Sequence, residues 1–192
     1  MAYLIPAEFV TKMVDAGESK IYMSTRDTLI RAYMAGAILS LAAVFAVTAT
    51  VMTGSPLVGG MLFPVGFCML YLLGFDLLTG VFVLTPLAWL DKRPGVTFKG
   101  ILRNWGLVFL GNFLGALTVA FMMAFIFTYG FSVPPNEIGQ KIGHIGEART
   151  LGYAQYGLMG WLTIFIRGML CNWMVSTGVV ALAEIGDKTQ LL

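Results

Sequence analysis

Three ionisable residues lie within or beside long apolar stretches of this chain: Asp76, Arg167 and Glu184. A charged side chain inside a membrane is costly, so each is a candidate for function. Asp76 stands in the sequence GFDLLTG, where it could contact a substrate or cap a helix by accepting hydrogen bonds from free amides. Arg167 could raise the local concentration of an anion near a pore, pair with a carboxylate such as Asp76, or reach the membrane surface.

The remaining polar groups favour a binding role over catalysis. The Thr79 hydroxyl could donate to a passing anion or bond back to its own helix, and the Asn172 amide could bond backbone groups at a broken helix. The single histidine, His144, falls in a polar loop, and Cys68 and Cys171 lack metal-ligand spacing. The sequence contains no hydrolase elbow, phosphate loop or metal-binding helix motif. We therefore expect neither enzymatic activity nor a cofactor.

An interrupted membrane helix must position these groups. Between residues 57 and 90 the only charged residue is Asp76. One straight helix of that length would be roughly 50 Å long, against a hydrocarbon core of about 30 Å. The two glycines of the motif predict two half-helices joined by a non-helical turn at 74–80, which is tolerated where it lines a cavity. The alternative is a long tilted helix with a kinked end, with Asp76 near the membrane surface.

The composition predicts an all-α integral membrane protein. The chain is 58% hydrophobic and 11% charged, with a mean hydropathy of +0.82. Its net charge of +2 is too small to suggest nucleic acid, and we expect no cleaved leader. We divide it into an amphipathic surface helix (1–28), a transmembrane domain (29–183) and a tail (184–192). The predicted spans are about 29–51, 57–90 broken at 74–80, 105–130 and 158–183.

Small residues in the third span, Gly106, Gly111, Gly115 and Ala116, provide faces for close helix contact. Positive charge indicates the orientation, because Lys and Arg are enriched in cytoplasmic segments. With a cytoplasmic amino terminus, the outside loops hold only Lys141 and Arg149. We expect a multi-pass protein of the inner, cytoplasmic membrane, in contact with the lipid bilayer.

Two motifs resemble those of the formate/nitrite transporter family: FPVGFCMLYLLGFDLLTG at 63–80 and WLTIFIRGMLCNWMV at 161–175. With the amphipathic start, the resemblance covers about residues 3–180. It implies an aquaporin-like bundle of six spans in inverted repeats, with spans two and five broken, assembled as a homo-pentamer. It also implies a channel or transporter for small monovalent anions such as formate or nitrite, with lactate or hydrosulfide carried by some members.

The resemblance gives roles to particular residues. It places an outer pore constriction at Phe63, an inner constriction at Phe67, Leu77 and Leu78, an anion-facing hydroxyl at Thr79 and a positioning amide at Asn172. The family more often has a second aromatic residue where Leu78 stands. Apolar slits of this kind exclude hydrated ions, and a neutral acid passes them more cheaply than its anion.

The sequence departs from this family near its end. Family members continue into a fifth, broken span with a central pore histidine and then a sixth span. We therefore expect an incomplete protomer with four of six spans, truncated or fused, that does not transport anions by itself. A non-transporting fragment that assembles with full-length subunits is an alternative.

The last residues, ALAEIGDKTQLL, resemble the acidic motif of the Gdt-type manganese/calcium cation-proton exchangers. In that family Glu184 and Asp187 would be cation ligands, which gives divalent cation exchange as a second alternative function. Two such motifs normally form one site. Because this chain has one copy, we favour a fusion junction or recombinant tail over a cation site.

Overall fold

The computed structural model describes residues 6–184, and the side chains of residues 7–178. Within that range the chain is helical, with no strand, which confirms the predicted all-α fold class. The helices are α1 (Pro6–Tyr22), α2 (Thr25–Thr53), α3 (Pro56–Leu62), α4 (Pro64–Leu72), α5 (Leu78–Leu90), α6 (Phe98–Phe127), α7 (Glu137–Arg149) and α8 (Gly157–Glu184). A short 3-10 helix, Leu151–Tyr156, precedes α8.

Three stretches of the described chain are long and apolar enough to cross a membrane: Thr25–Thr53, Phe98–Phe127 and a segment within Glu137–Gly178. Two shorter apolar stretches, Pro56–Leu72 and Leu78–Leu90, lie between the first two. They form the interrupted segment that the sequence predicts. The non-helical turn lies at residues 73–77, so residues 78–80 of the predicted break belong to α5.

The long helices α2 and α6 pack closely through glycines. A side chain at Gly111 would meet Ala32, and one at Gly115 would lie 2.0 Å from the Tyr33 carbonyl oxygen. The contacts advance in the same direction along both helices, so α2 and α6 are parallel, and the chain between them must return across the bundle. The predicted close contact is confirmed at Gly111 and Gly115, whereas Gly106 faces open space within the described structure.

The amino-terminal helix α1 packs against protein. Its apolar residues Met13, Val14 and Ile21 are buried, and a side chain at Gly17 would lie 2.0 Å from the Leu84 carbonyl oxygen of α5. We predicted a helix lying on the membrane surface. Its position at the membrane surface stays a prediction, while its apolar face packs on the bundle, where α5 approaches closely enough to exclude any side chain at Gly17.

Side-chain caps determine where the long helices begin. The Ser24 hydroxyl accepts a hydrogen bond from the Asp27 amide at 3.0 Å, and the Thr97 hydroxyl accepts one from the Gly100 amide at 3.1 Å. As a result, α2 and α6 start at residues 25 and 98, several residues before the predicted spans at 29 and 105. The caps therefore set the helix starts, which the apolar runs alone do not show.

Candidate functional site

One asparagine of α6 binds the turn between α4 and α5 to the start of α5 and to α2. The Asn112 amide nitrogen donates to the Ala32 carbonyl at 2.8 Å and to the Asp76 carbonyl at 2.9 Å. The Asn112 side-chain oxygen accepts from the Leu78 amide, also at 2.9 Å. Gly74 supplies the sharp turn with a φ of +71°. The break is therefore a specified backbone conformation, bridged from α6.

The Asp76 carboxylate is buried and paired with a cation from α1. It is 2% exposed, and its Oδ1 accepts a hydrogen bond from the Lys20 ammonium. Its Oδ2 is buried and has no hydrogen-bond partner within residues 7–178. The sequence offered Asp76 as a cap for α5, but it does not cap this helix. The N-cap residue is Leu77, and the Leu78 amide donates to the Asn112 side chain instead. The carboxylate instead turns towards Lys20.

Further polar contacts secure this arrangement. The Asn104 amide nitrogen donates to the Lys20 carbonyl at 3.1 Å, while the Asn104 side-chain oxygen is buried without a partner among the described residues. The Arg31 guanidinium donates to the Gly74 carbonyl at 3.4 Å. Helices α1, α2 and α6 thus all contribute groups that hold the break.

A largely apolar cleft of about 360 Å³ lies between the break and α8. Phe67, Leu77 and Thr79 line one side, and Met174 and Val175 line the other. The structure therefore brings together three of the residues to which the resemblance gives pore roles. Phe63 is adjacent, with its ring centroid 5.6 Å from that of Phe67 in an edge-to-face arrangement.

The Thr79 hydroxyl differs from other threonines in the membrane helices. It is buried and has no hydrogen-bond partner in the part of the chain whose side chains are described. Thr85, by contrast, bonds back to the Val81 carbonyl at 2.8 Å, and Thr118 bonds back to the Leu114 carbonyl at 2.9 Å. The carbonyl four residues before Thr79 belongs to Phe75, which lies in the non-helical turn. The break therefore leaves this hydroxyl free beside the cleft.

Leu78 does not line the cleft, although the resemblance places it in the inner constriction. It packs instead against the buried cluster of Ala32, Val81 and Val108. Consecutive residues at the start of a helix point in different directions, so Leu77 faces the cleft while Leu78 faces the core. Of the three residues that the resemblance places in the inner constriction, Phe67 and Leu77 line the cleft.

The structure does not bring Arg167 and Asn172 to the break. Arg167 is exposed on α8, and its guanidinium contacts Tyr153, donating to the phenol oxygen and lying 5.7 Å from the ring centroid. Asn172 is also exposed. The cation beside Asp76 is Lys20, and the amide that positions the break is that of Asn112.

Lys20 and Asn112 are the site residues that the sequence reasoning missed. Both lie outside the two motifs that carry the family resemblance. A signal was present, because Lys20 follows Met13 and Gly17 at helical spacing and so shares the packed face of α1. Asn112 adjoins Gly111, within the face that packs on α2. A lone amide beside a small-residue face is the pattern of an interhelical hydrogen bond.

The two residues proposed as cation ligands lie at the edge of the described structure. Asp187 and the Glu184 side chain fall outside it. Within the described residues there is no cluster of three or more His, Cys, Asp or Glu side chains able to hold a metal.

A bundle of long apolar helices around a broken helix, with an apolar cleft and a free hydroxyl at the break, is the architecture of a membrane channel or transporter. Residues 7–190 match the profile of the family described as formate/nitrite transporter. The chain belongs to the formate/nitrite transporter family, and it is an integral membrane protein. The match extends past residue 180, where we expected the resemblance to end, and it includes Glu184 and Asp187.

The relatives are transporters and channels by name. The chain is 28% identical over 188 residues to an uncharacterized transporter, YrhG, of Bacillus subtilis, covering 93% of this chain and 65% of the relative. It is 37% identical over 154 residues to the formate channel FocA of Haemophilus influenzae, covering 76% of this chain and 49% of the relative. It is 32% identical over 130 residues to a probable formate transporter of Methanothermobacter thermautotrophicus, covering 64% of this chain and 46% of the relative. The chain thus spans less than two thirds of the length of each of these relatives.

Proposed function

We propose that this chain contributes to a pathway for small monovalent anions, such as formate or nitrite, across the membrane. The observation that carries the proposal is the cleft beside the break, where the buried Thr79 hydroxyl has no protein partner among the described residues. A hydroxyl in that position can donate a hydrogen bond to a carboxylate or nitrite oxygen. Family membership and the formate channels among the relatives support the substrate class.

The cleft has two properties suited to a weak acid. Phe67 and Leu77 give it apolar walls, which exclude hydrated ions and lower the barrier for a neutral acid relative to its anion. The amino terminus of α5 begins at Leu78, so the positive end of its helix dipole lies near Thr79. We propose that the anion is attracted to this end and crosses with a proton or as the neutral acid.

We further propose that the protein lies in the inner membrane with its amino terminus in the cytoplasm. The distribution of Lys and Arg supports this orientation, because the loop of residues 131–157 carries only Lys141 and Arg149. A homo-pentamer is the assembly implied by the family resemblance. Cross-linking in native membranes would test the assembly, and cysteine labelling on either side would test the orientation.

Uptake of labelled formate into proteoliposomes tests the anion pathway. It should be measured for this chain and for the chain joined to the carboxyl-terminal part of YrhG beyond the matched region. We expect uptake by the extended protein. The Thr79→Val variant should lower its rate about tenfold, the cost of one lost hydrogen bond of about 1.4 kcal/mol.

Thr118→Val is the matched control, because its hydroxyl bonds only to its own helix at Leu114. It should leave uptake nearly unchanged. Absence of formate and nitrite uptake by both proteins, once correctly inserted, would contradict the proposed function. If the two valine substitutions had equal effects on uptake, only the role of Thr79 would be contradicted, and the proposed anion pathway would stand.

A further inference from the structure

Four exposed residues where α5 leads into α6 form a surface of aromatic rings and cations: Trp89, Lys92, Phe98 and Lys99. Trp89 lies in the last turn of α5, and Phe98 is the first residue of α6. Their ring centroids are 6.2 Å apart. The end of one helix and the start of the next therefore meet at these two rings, and we name the four residues the turn patch.

The two lysines flank the aromatic pair. The Lys92 amide donates to the Trp89 carbonyl at 3.0 Å, so Lys92 follows Trp89 by one turn. Lys99 directly follows Phe98 in the first turn of α6. Neither lysine forms an ion pair within residues 7–178. The turn patch thus holds two charges of the same sign that the described side chains do not neutralise.

The turn that carries the patch is fixed to α1. The Arg93 guanidinium donates to the Asp15 carboxylate at 2.7 Å and lies 3.7 Å from the Glu18 carboxylate. It also donates to the Asp91 carboxylate at 2.9 Å, so the acid next to Lys92 in the sequence is paired with Arg93. Lys92 itself has a φ of +55°, in the left-handed region. The patch is therefore presented on a backbone that several contacts hold in place.

The turn patch lies where apolar sequence ends. Leu90, the last residue of α5, is 67% exposed, and the next three residues, 91–93, are all charged. Tryptophan is enriched at the boundary between the hydrocarbon core and the headgroups, and lysine stems lie along apolar surface with the ammonium among the headgroups. With the amino terminus in the cytoplasm, as proposed above, the patch faces the cytoplasmic leaflet, whose surface is negatively charged.

Two unpaired cations favour a lipid with a net negative charge. A zwitterionic lipid would bring its own cation close to the two lysines, whereas phosphatidylglycerol offers a phosphate without one. The lysines have flexible four-carbon stems, so both ammonium groups can approach one phosphate. Free phosphate would gain these charge contacts but no contact with the rings of Trp89 and Phe98. A phospholipid gains both.

We propose that the turn patch binds one anionic phospholipid of the phosphatidylglycerol type. The phosphate accepts hydrogen bonds from Lys92 and Lys99, while the glycerol and the first part of the acyl chains pack on Trp89 and Phe98. The lipid ties the turn between α5 and α6 to the membrane. This binding does not depend on anion transport through the cleft.

Native mass spectrometry of the full chain, released from detergent with equal amounts of dioleoyl phosphatidylglycerol and phosphatidylcholine, tests the proposal. The unmodified chain should retain phosphatidylglycerol on the order of twentyfold better, because each lysine near an anionic headgroup contributes about fivefold. Lys92→Asn and Lys99→Gln should each lower this preference about fivefold, and the double variant should abolish it. Asparagine adopts the left-handed conformation readily, so Lys92→Asn keeps the turn intact.

Matched variants separate the turn patch from general charge and apolar surface. Lys141→Gln removes the same charge near the end of α2, at the opposite end of the bundle, and should leave the preference unchanged. Trp89→Leu should lower the retention of both lipids, whereas Trp161→Leu, which removes an exposed tryptophan of α8, should not.

Three results would overturn the proposal. The first is an unmodified chain that retains the two lipids equally. The second is an equal loss of preference in Lys141→Gln and in the two lysine variants of the patch, because general charge would then explain the binding. The third is displacement of the lipid by excess inorganic phosphate, because phosphate alone would then be the ligand.

Discussion

The break between α4 and α5 and the long helix α8 both carry polar groups within apolar sequence, but they are built differently. At the break, Asp76 is 2% exposed and pairs with Lys20, and Asn112 bonds the backbone on two sides. On α8, Arg167 and Asn172 are exposed, and Arg167 contacts the phenol of Tyr153. Membership of an apolar segment therefore does not determine how much a polar residue contributes to stability. Burial and pairing between helices determine it.

The largest expected difference in stability is between substitutions of the two cations, Lys20 and Arg167. Lys20→Met leaves the Asp76 carboxylate buried without its partner, which should lower the free energy of unfolding by about 4 kcal/mol. Arg167→Met removes an exposed charge and should cost less than about 1 kcal/mol. Unfolding in mixed micelles with increasing dodecyl sulfate, followed by circular dichroism, measures both. The double variant Lys20→Met with Asp76→Leu should recover most of the loss, and equal losses in the single variants would contradict the comparison.

Substitutions of the two asparagines, Asn112 and Asn172, should differ in stability by a smaller amount. Asn112→Ala removes hydrogen bonds to Ala32, Asp76 and Leu78 and leaves the Leu78 amide and the Asp76 carbonyl unpaired, at a cost of about 3 kcal/mol. Asn172→Ala removes an exposed amide and should change stability by about 0.5 kcal/mol or less. Hydrogen exchange at the Leu78 amide gives a local measurement. Faster exchange in Asn112→Ala alone is expected, and unchanged exchange there would show that another group protects the amide.

The sequence predicts the break because length is a local property. The run from 57 to 90 is too long for one straight span, and glycines mark the turn within it. The sequence does not predict which residues hold the break. Lys20 and Asp76 are separated by 55 intervening residues, and Asp76 and Asn112 are separated by 35. Such pairs depend on how helices pack. For the same reason, spacing alone could not show that Leu77 faces the cleft and Leu78 the core.

The smallest expected effect tests the helix contact that places Asn112. Gly115→Ala puts a methyl group about 2.0 Å from the Tyr33 carbonyl oxygen, so α2 and α6 must separate, at a cost of about 2 kcal/mol. Gly106→Ala meets open space and should stabilise α6 by up to about 1 kcal/mol, because alanine favours a helix. Thermal unfolding in detergent should show opposite shifts for the two variants. Separation of α2 and α6 should also weaken the hydrogen bond from Asn112 to the Ala32 carbonyl. The Leu78 amide should then exchange faster in Gly115→Ala than in Gly106→Ala. Equal exchange would mean that α6 holds the break independently of its spacing from α2.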